Sequence, residues 1–176
     1  MERARWILWQ KGSEMKAIYA GSFSPPTLGH LDIIRRASSL FEEVFVAVLS
    51  QSEKRYLFSL KEREEMLSRI TRDMQNVRVL SDEGMLVDLA RRVGADVILR
   101  GIRDASDLPL EMQMAVANRR IGEMDTLFLV CSPQYSLLSS SIVRDCARHK
   151  APIEGMVPPE IVEDIYRACA TAPDSK

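Results

Sequence analysis

Short, almost wholly apolar runs alternate along this chain with longer stretches in which apolar residues recur every three or four positions, and the alternation persists from Lys16 onward. Runs of the first kind are β-strands covered on both faces, and stretches of the second kind are helices with a single apolar stripe. The pattern predicts strands over Ala17–Ala20, Val44–Leu49, Val77–Leu80, Val97–Leu99 and Leu127–Cys131. It predicts helices near Leu31–Leu40, Leu60–Met74, Met85–Val93, Leu108–Ile121, Ile142–Arg148 and Pro159–Ala170. One helix start is marked chemically: Ser59 followed three residues later by Glu62 forms a capping box. Strand and helix in strict alternation build parallel β-α-β units. The expected fold is therefore α/β, a Rossmann-like doubly wound sheet of about five parallel strands in a single domain.

With 176 residues the chain can bury one sizeable core but not two, so motifs distant in sequence are expected to share one site. The first 14 residues carry both tryptophans and precede Met15-Lys16, which lead straight into the first strand. Met15 is read as the functional start, residues 15–170 as the domain and 171–176 as a flexible tail.

Apolar residues make up 46% of the chain and charged residues 28%, with a net charge of −1. That balance offers no broad attraction for nucleic acid, so any anion site must be local. The three cysteines, Cys131, Cys146 and Cys169, are widely spaced and odd in number, which argues against a disulfide framework and for a cytoplasmic location. No apolar run approaches the roughly 18 residues of a membrane span, so no membrane partner is expected.

Ligands of such a sheet collect beyond the carboxyl ends of the strands, where helix amino termini present unpaired N–H groups. Beyond the first strand lies Gly21-Ser22-Phe23-Ser24-Pro25-Pro26-Thr27-Leu28-Gly29-His30, a stiffened loop that ends in a histidine at a helix start. It is neither a P-loop nor a dinucleotide fingerprint, yet His30 and the amides beside it suit a phosphate. Arg100-Gly101-Ile102-Arg103 follows the fourth strand and offers two guanidinium groups for bidentate phosphate recognition. Lys54-Arg55 follows the second strand. Tyr135-Ser136-Leu137-Leu138-Ser139-Ser140-Ser141 follows the fifth, with more hydroxyls than one helix cap requires. The two histidines have no metal-ligand spacing, so no protein metal cage is expected, and no G-x-S-x-G elbow supports a serine hydrolase.

Together, Gly21-Ser22-Phe23-x-Pro25 with Thr27-Leu28-Gly29-His30, Arg100-Gly101-Ile102-Arg103, and Ser139-Ser140-Ser141-Ile142-Val143-Arg144 resemble the nucleotidyltransferase superfamily with the T/H-x-G-H motif. Within it the chain resembles the bacterial phosphopantetheine adenylyltransferase family from about Met15 to Ala170, with motif order and spacing kept. The resemblance implies transfer of the adenylyl group of ATP to 4′-phosphopantetheine, giving dephospho-coenzyme A and pyrophosphate, with Mg²⁺ accompanying the triphosphate. It implies a catalytic role for His30, contacts from Ser22 to both substrates, and acceptor contacts from Lys54, Leu86 and Arg100. ATP contacts are implied for Phe23, His30, Gly101, Ile102, Arg103 and Glu111, and for Tyr135, Ser136, Leu137, Leu138, Ser139, Ser140 and Ser141. A homohexamer is implied as well. The chain departs from the family pattern at Ser22, Ser24, Leu28, Pro109-Leu110 and Tyr135, where threonine, aspartate, asparagine, an acidic-aromatic pair and tryptophan are common. The competing readings are a sister enzyme using nicotinate mononucleotide and a nucleotide-binding regulatory module without turnover.

Overall fold

The computed structural model describes residues 14–50 and 56–171. The strands are β1 (Lys16–Gly21), β2 (Glu43–Leu49), β3 (Val77–Asp82), β4 (Val97–Ile102) and β5 (Thr126–Val130). The α-helices among these residues are α1 (Leu28–Leu40), α2 (Leu60–Ile70), α3 (Leu86–Val93), α4 (Leu108–Gly122), α5 (Ser140–Arg148) and α6 (Val162–Thr171). All five strands run parallel in the order β3-β2-β1-β4-β5. The chain winds outward from β1 to β3, returns through α3 to lay β4 beside β1, and winds outward again to β5. Strand order thus reverses between β1 and β4.

Why β1 is central follows from its composition, since Ala17, Ile18, Tyr19 and Ala20 are all buried and alternate between the two faces. Ala17 and Tyr19 join Val44, Val46, Val97 and Leu99 under α1, α2, α5 and α6, in a core that includes Ile34, Leu67, Val143 and Ile165. Ile18 and Ala20 face the other way, with Phe45, Ala47 and Ile98 under Val87, Leu89 and Ala90 of α3. That second face has a thinner cover, because α4 buries only Asn118 and Gly122.

The structure corrects some boundaries. The predicted helix over Leu60–Met74 stops at Ile70, where the Thr71 hydroxyl donates back to the Leu67 carbonyl at 2.8 Å and the chain turns. The predicted helix over Pro159–Ala170 opens with a 3₁₀ turn, Pro159–Ile161, before α6 begins. The Ser59–Glu62 capping box is present as predicted. No helix of the described residues is long and apolar enough to cross a membrane. The expected extension 1–14 lies outside the described residues except Glu14, and so does the tail from residue 172.

Candidate active site

The loop after β1 is shaped by three local facts. Phe23 takes a left-handed backbone conformation (φ 46°), and its ring folds inward until it is 1% exposed. There it lies over Gly21, where a Cβ would meet the ring at 3.0 Å, closer than side chains ordinarily pack, so glycine gives the ring its room. The ring then meets Tyr19 and His30 edge-on, with centroids 5.5 and 5.1 Å apart.

Thr27 caps α1, and its partner in the capping box is His30. The Thr27 hydroxyl oxygen accepts from the His30 backbone N–H at 3.3 Å, while the Thr27 backbone N–H donates to His30 Nδ1 at 3.0 Å. A ring nitrogen that accepts from an amide carries no proton, so the neutral imidazole keeps its hydrogen on Nε2. Burial first, and the charges of Arg103 and Arg100 next, push the His30 pKa down to about 4. At neutral pH, His30 is therefore an uncharged donor whose Nδ1 is fixed by the helix cap.

Across the gap between β1 and β4, Arg100 reaches back to the Ala20 carbonyl at 2.6 Å. Its Nε and Nη2 donate to both carboxylate oxygens of Glu111 on α4, each at 2.6 Å. Arg103 makes a similar fork with Asp107, at 3.1 and 2.8 Å, and its backbone N–H donates to the same carboxylate at 2.9 Å. Hydrogen bonding from Arg103 holds the Asp107 carboxyl below the usual carboxylate range. The sequence reading offered two guanidinium groups free for phosphate, but each is already matched by an acid. An incoming anion must share or displace these carboxylates. The pairs hold both forks in place beforehand.

The serine run also differs from its sequence reading. Ser139 caps α5 by accepting from the Ile142 N–H at 3.2 Å, Ser140 donates to the Pro25 carbonyl at 2.8 Å, and the Ser141 hydroxyl accepts from Arg144 at 3.1 Å. Arg144 also donates to the Ser24 carbonyl. The hydroxyls predicted to be surplus thus fasten α5 to the Ser24–Pro25 turn, which contains a cis peptide bond. What the helix head leaves for an anion is its backbone amides.

These pieces surround one cleft of about 280 Å³ at the point where strand order reverses. Of the residues singled out in the sequence, Ser22, His30, Arg100, Gly101 and Arg103 line it from β1, α1 and β4. Glu111, Leu138, Ser139 and Ser140 close it from α4 and the head of α5. Phe23 and Ile102 are buried (1% and 4% exposed) rather than lining it. Tyr135 abuts Gly29, with its Cβ 3.5 Å from where a glycine Cβ would stand. Ser136, Leu137 and Ser141 do not line the cleft, and Leu86 at the head of α3 packs against the second core. Lys54 lies outside the described residues.

Sequence reasoning missed Asp107 and Cys131, both of which line the cleft. Asp107 could have been found from its four-residue spacing to Arg103. Cys131 carried no signal beyond its place after β5. Asp32 was also missed: its carboxylate accepts from the Ser132 N–H and hydroxyl at 2.9 and 2.7 Å and so fixes the turn after β5.

A family profile described as Cytidylyltransferase-like matches residues 18–146, the stretch that holds every strand except the start of β1. A phosphopantetheine adenylyltransferase of Finegoldia magna is 46% identical over 154 residues, covering 87% of this chain and 95% of that protein. Those of Clostridium tetani and Moorella thermoacetica are 47% and 48% identical, covering 86% and 82% of this chain and 95% and 91% of theirs. Among solved structures, a protein assigned as a nicotinate-nucleotide adenylyltransferase of Vibrio parahaemolyticus superposes with a TM-score of 0.63 at 18% identity, over 88% of this chain and 96% of that one. That likeness concerns the fold alone. The cleft at the β1/β4 switch point, the profile match and the extent of identity lead to one conclusion: the chain belongs to the phosphopantetheine adenylyltransferase family of cytidylyltransferase-like proteins.

Proposed function

We propose that the chain transfers the adenylyl group of ATP to 4′-phosphopantetheine, releasing pyrophosphate and dephospho-coenzyme A. The carrying observation is the neutral His30, held by Thr27 through Nδ1 with its remaining N–H on Nε2, in a cleft whose other groups suit phosphates. An oxygen of the acceptor's phosphate attacks the α-phosphorus of ATP. The bond from that phosphorus to the oxygen bridging to the β-phosphate breaks, and pyrophosphate leaves.

His30 donates a hydrogen bond to the α-phosphate as negative charge grows on it, an electrostatic role that needs no proton transfer from the ring. Arg103 and the amides at the head of α5 receive the nucleotide's phosphates, while Ser22, Arg100 and Lys54 receive the acceptor. Burial pushes the Cys131 thiol pKa up, and this reading gives the thiol no covalent step.

Among the described residues, no three His, Cys, Asp or Glu side chains come together to hold a metal ion. By the resemblance, Mg²⁺ would come with the triphosphate, held mostly by phosphate oxygens and water, and would spread the charge of the departing pyrophosphate. The three free cysteines fit a reducing cytoplasm.

Assembly into a homohexamer is supported by exposed large apolar side chains on α4 and the edge strand β5: Leu110, Met112, Val116, Leu127 and Val130 are all exposed, Val116 at 69%. Such side chains suit burial against another copy of the chain.

The test is a pyrophosphate-release assay with Mg²⁺, ATP and 4′-phosphopantetheine, with nicotinate mononucleotide run in parallel. Turnover is expected with the first acceptor alone, and turnover with nicotinate mononucleotide alone would replace this reading with that of a sister enzyme.

A further inference from the structure

Arg63 is the one charged side chain buried in the described chain, at 1% exposure, and it lies on α2 where the helix face turned to the core is otherwise apolar. Its Nη1 donates to the Ser22 carbonyl at 2.7 Å and to the Leu49 carbonyl at 3.2 Å. Its Nη2 donates to the Ser50 hydroxyl oxygen at 2.7 Å, and its Nε to the Ser59 carbonyl at 3.2 Å. The guanidinium carbon stands 4.2 Å from the centre of the Tyr56 ring.

None of these acceptors is a carboxylate. The bonds occupy four of the five N–H groups, and among the described residues no carboxylate forms an ion pair with the guanidinium, an arrangement that is expensive in a protein interior. A methionine or leucine would avoid burying a charge but would orphan these four acceptors, so the reason for the cation lies in what its bonds hold. Arg100 and Arg103 differ in kind, since each is paired with an acid.

The place of the contacts supplies that reason. Ser22 lines the cleft, and Leu49 and Ser50 end β2 next to it. The fork therefore holds the β1 and β2 end of the cleft, whereas Arg103 follows β4 and Ser139 and Ser140 stand at the head of α5. On the proposed reading Arg103 and the head of α5 receive the nucleotide's phosphates, and Ser22, which Arg63 holds, receives the acceptor together with Arg100 of β4.

We infer that Arg63 is a positioning residue for the acceptor: it holds the Ser22 and Leu49 carbonyls and the Ser50 hydroxyl in register and lends a positive charge, which no described carboxylate pairs, to the end of the cleft that takes the acceptor's phosphate. The inference rests on the proposed reading of the site and adds to it a determinant of preference for phosphorylated acceptors. Arg63 itself touches no substrate.

The experiment measures binding of 4′-phosphopantetheine and of pantetheine, its dephosphorylated form, to wild type, Arg63→Met and Arg63→Lys, with ATP binding and thermal melting measured alongside. Wild type should prefer the phosphorylated form. Arg63→Met should lose that preference by at least about tenfold with ATP affinity within about twofold, and Arg63→Lys should recover at least half of the loss on a logarithmic scale. A folded Arg63→Met that keeps the preference, or weakens ATP and both acceptors alike, overturns the assignment. Should neither variant fold, Ser50→Ala decides: the KM for the acceptor should rise severalfold while the KM for ATP holds, and an unchanged acceptor KM overturns the proposal. Wild type indifferent to the acceptor's phosphate would sink the functional reading itself, an outcome separate from these.

Discussion

His30 holds two positions at once, helix cap and cleft donor, and the two depend on each other. Because Thr27 supplies an N–H to Nδ1, the ring cannot take up a second proton without losing that bond, which agrees with a pKa pushed down to about 4. The unfolded chain has an ordinary imidazole near 6.5, so below that pH it binds a proton that the fold refuses. Stability contributed by His30 is accordingly complete above pH 6.5 and is lost as the pH falls toward 4, by up to about 3 kcal/mol. His30→Ala should flatten that part of the stability-versus-pH curve, as read from denaturant midpoints across pH 4 to 7. The same variant should lower turnover at least about a hundredfold while changing ATP affinity much less. Equal losses in rate and binding would reduce His30 to a general contact. At this scale the sequence placed the histidine correctly at a helix head but could not assign its tautomer, which depends on a backbone N–H direction. Nor could it foresee that Glu111 and Asp107 would neutralise the arginines, because the meeting of side chains from β4 and α4 is a tertiary event.

At the scale of elements, local chemistry was readable where the signal was a familiar one. Ser59 and Glu62 announced the start of α2 because serine with glutamate three residues on is the usual capping box. The box at α1 has histidine in place of the glutamate, and sequence reasoning took Thr27 only as part of a motif. At α4, Asp107 occupies the cap position but makes no side-chain cap bond, since its carboxylate is turned to Arg103. The other end of α4 depends on closeness. A Cβ at Gly122 would fall 2.6 Å from Val87 Cβ on α3, a distance real side chains do not tolerate. In an exposed helix, alanine for glycine would stabilise by roughly 1 kcal/mol. Here Gly122→Ala is expected to destabilise by about 1–3 kcal/mol through overpacking, measured as a shift in denaturant midpoint. A gain in stability would show that α3 and α4 separate at no cost.

For the whole molecule, the uneven cover of the sheet matters most. One face is buried under α1, α2, α5 and α6, whereas α4 on the other buries only Asn118 and Gly122 and leaves Leu110, Met112, Val116 and Ile121 exposed. If copies of the chain cover this surface, Val116→Glu should break the assembly into smaller species, since a carboxylate buried between copies would lack a partner. Light scattering coupled to size exclusion reads the result directly. A wild type that already runs as a monomer at micromolar concentration would end the proposal of a homohexamer.

The order and type of the elements were determined by the sequence alone, because hydrophobic period is a local property: short apolar runs rich in β-branched residues read as strands covered on both faces, and stripes at helical spacing read as helices lying over them. Motif residues could be assigned to strand ends by the same reasoning, and so could the family resemblance that their order carries. Tertiary structure decided the rest. Strand order brought Ser22 and Arg100 to one cleft, the alternation of buried faces left α4 partly uncovered, burial beside Arg103 and Arg100 lowered the His30 pKa, and Glu111 and Asp107 fixed the two arginine forks. These depend on distances between segments far apart in the chain, which no local pattern records; Arg63, which no motif marks and which lies buried against the Ser22 and Leu49 carbonyls, is the clearest instance.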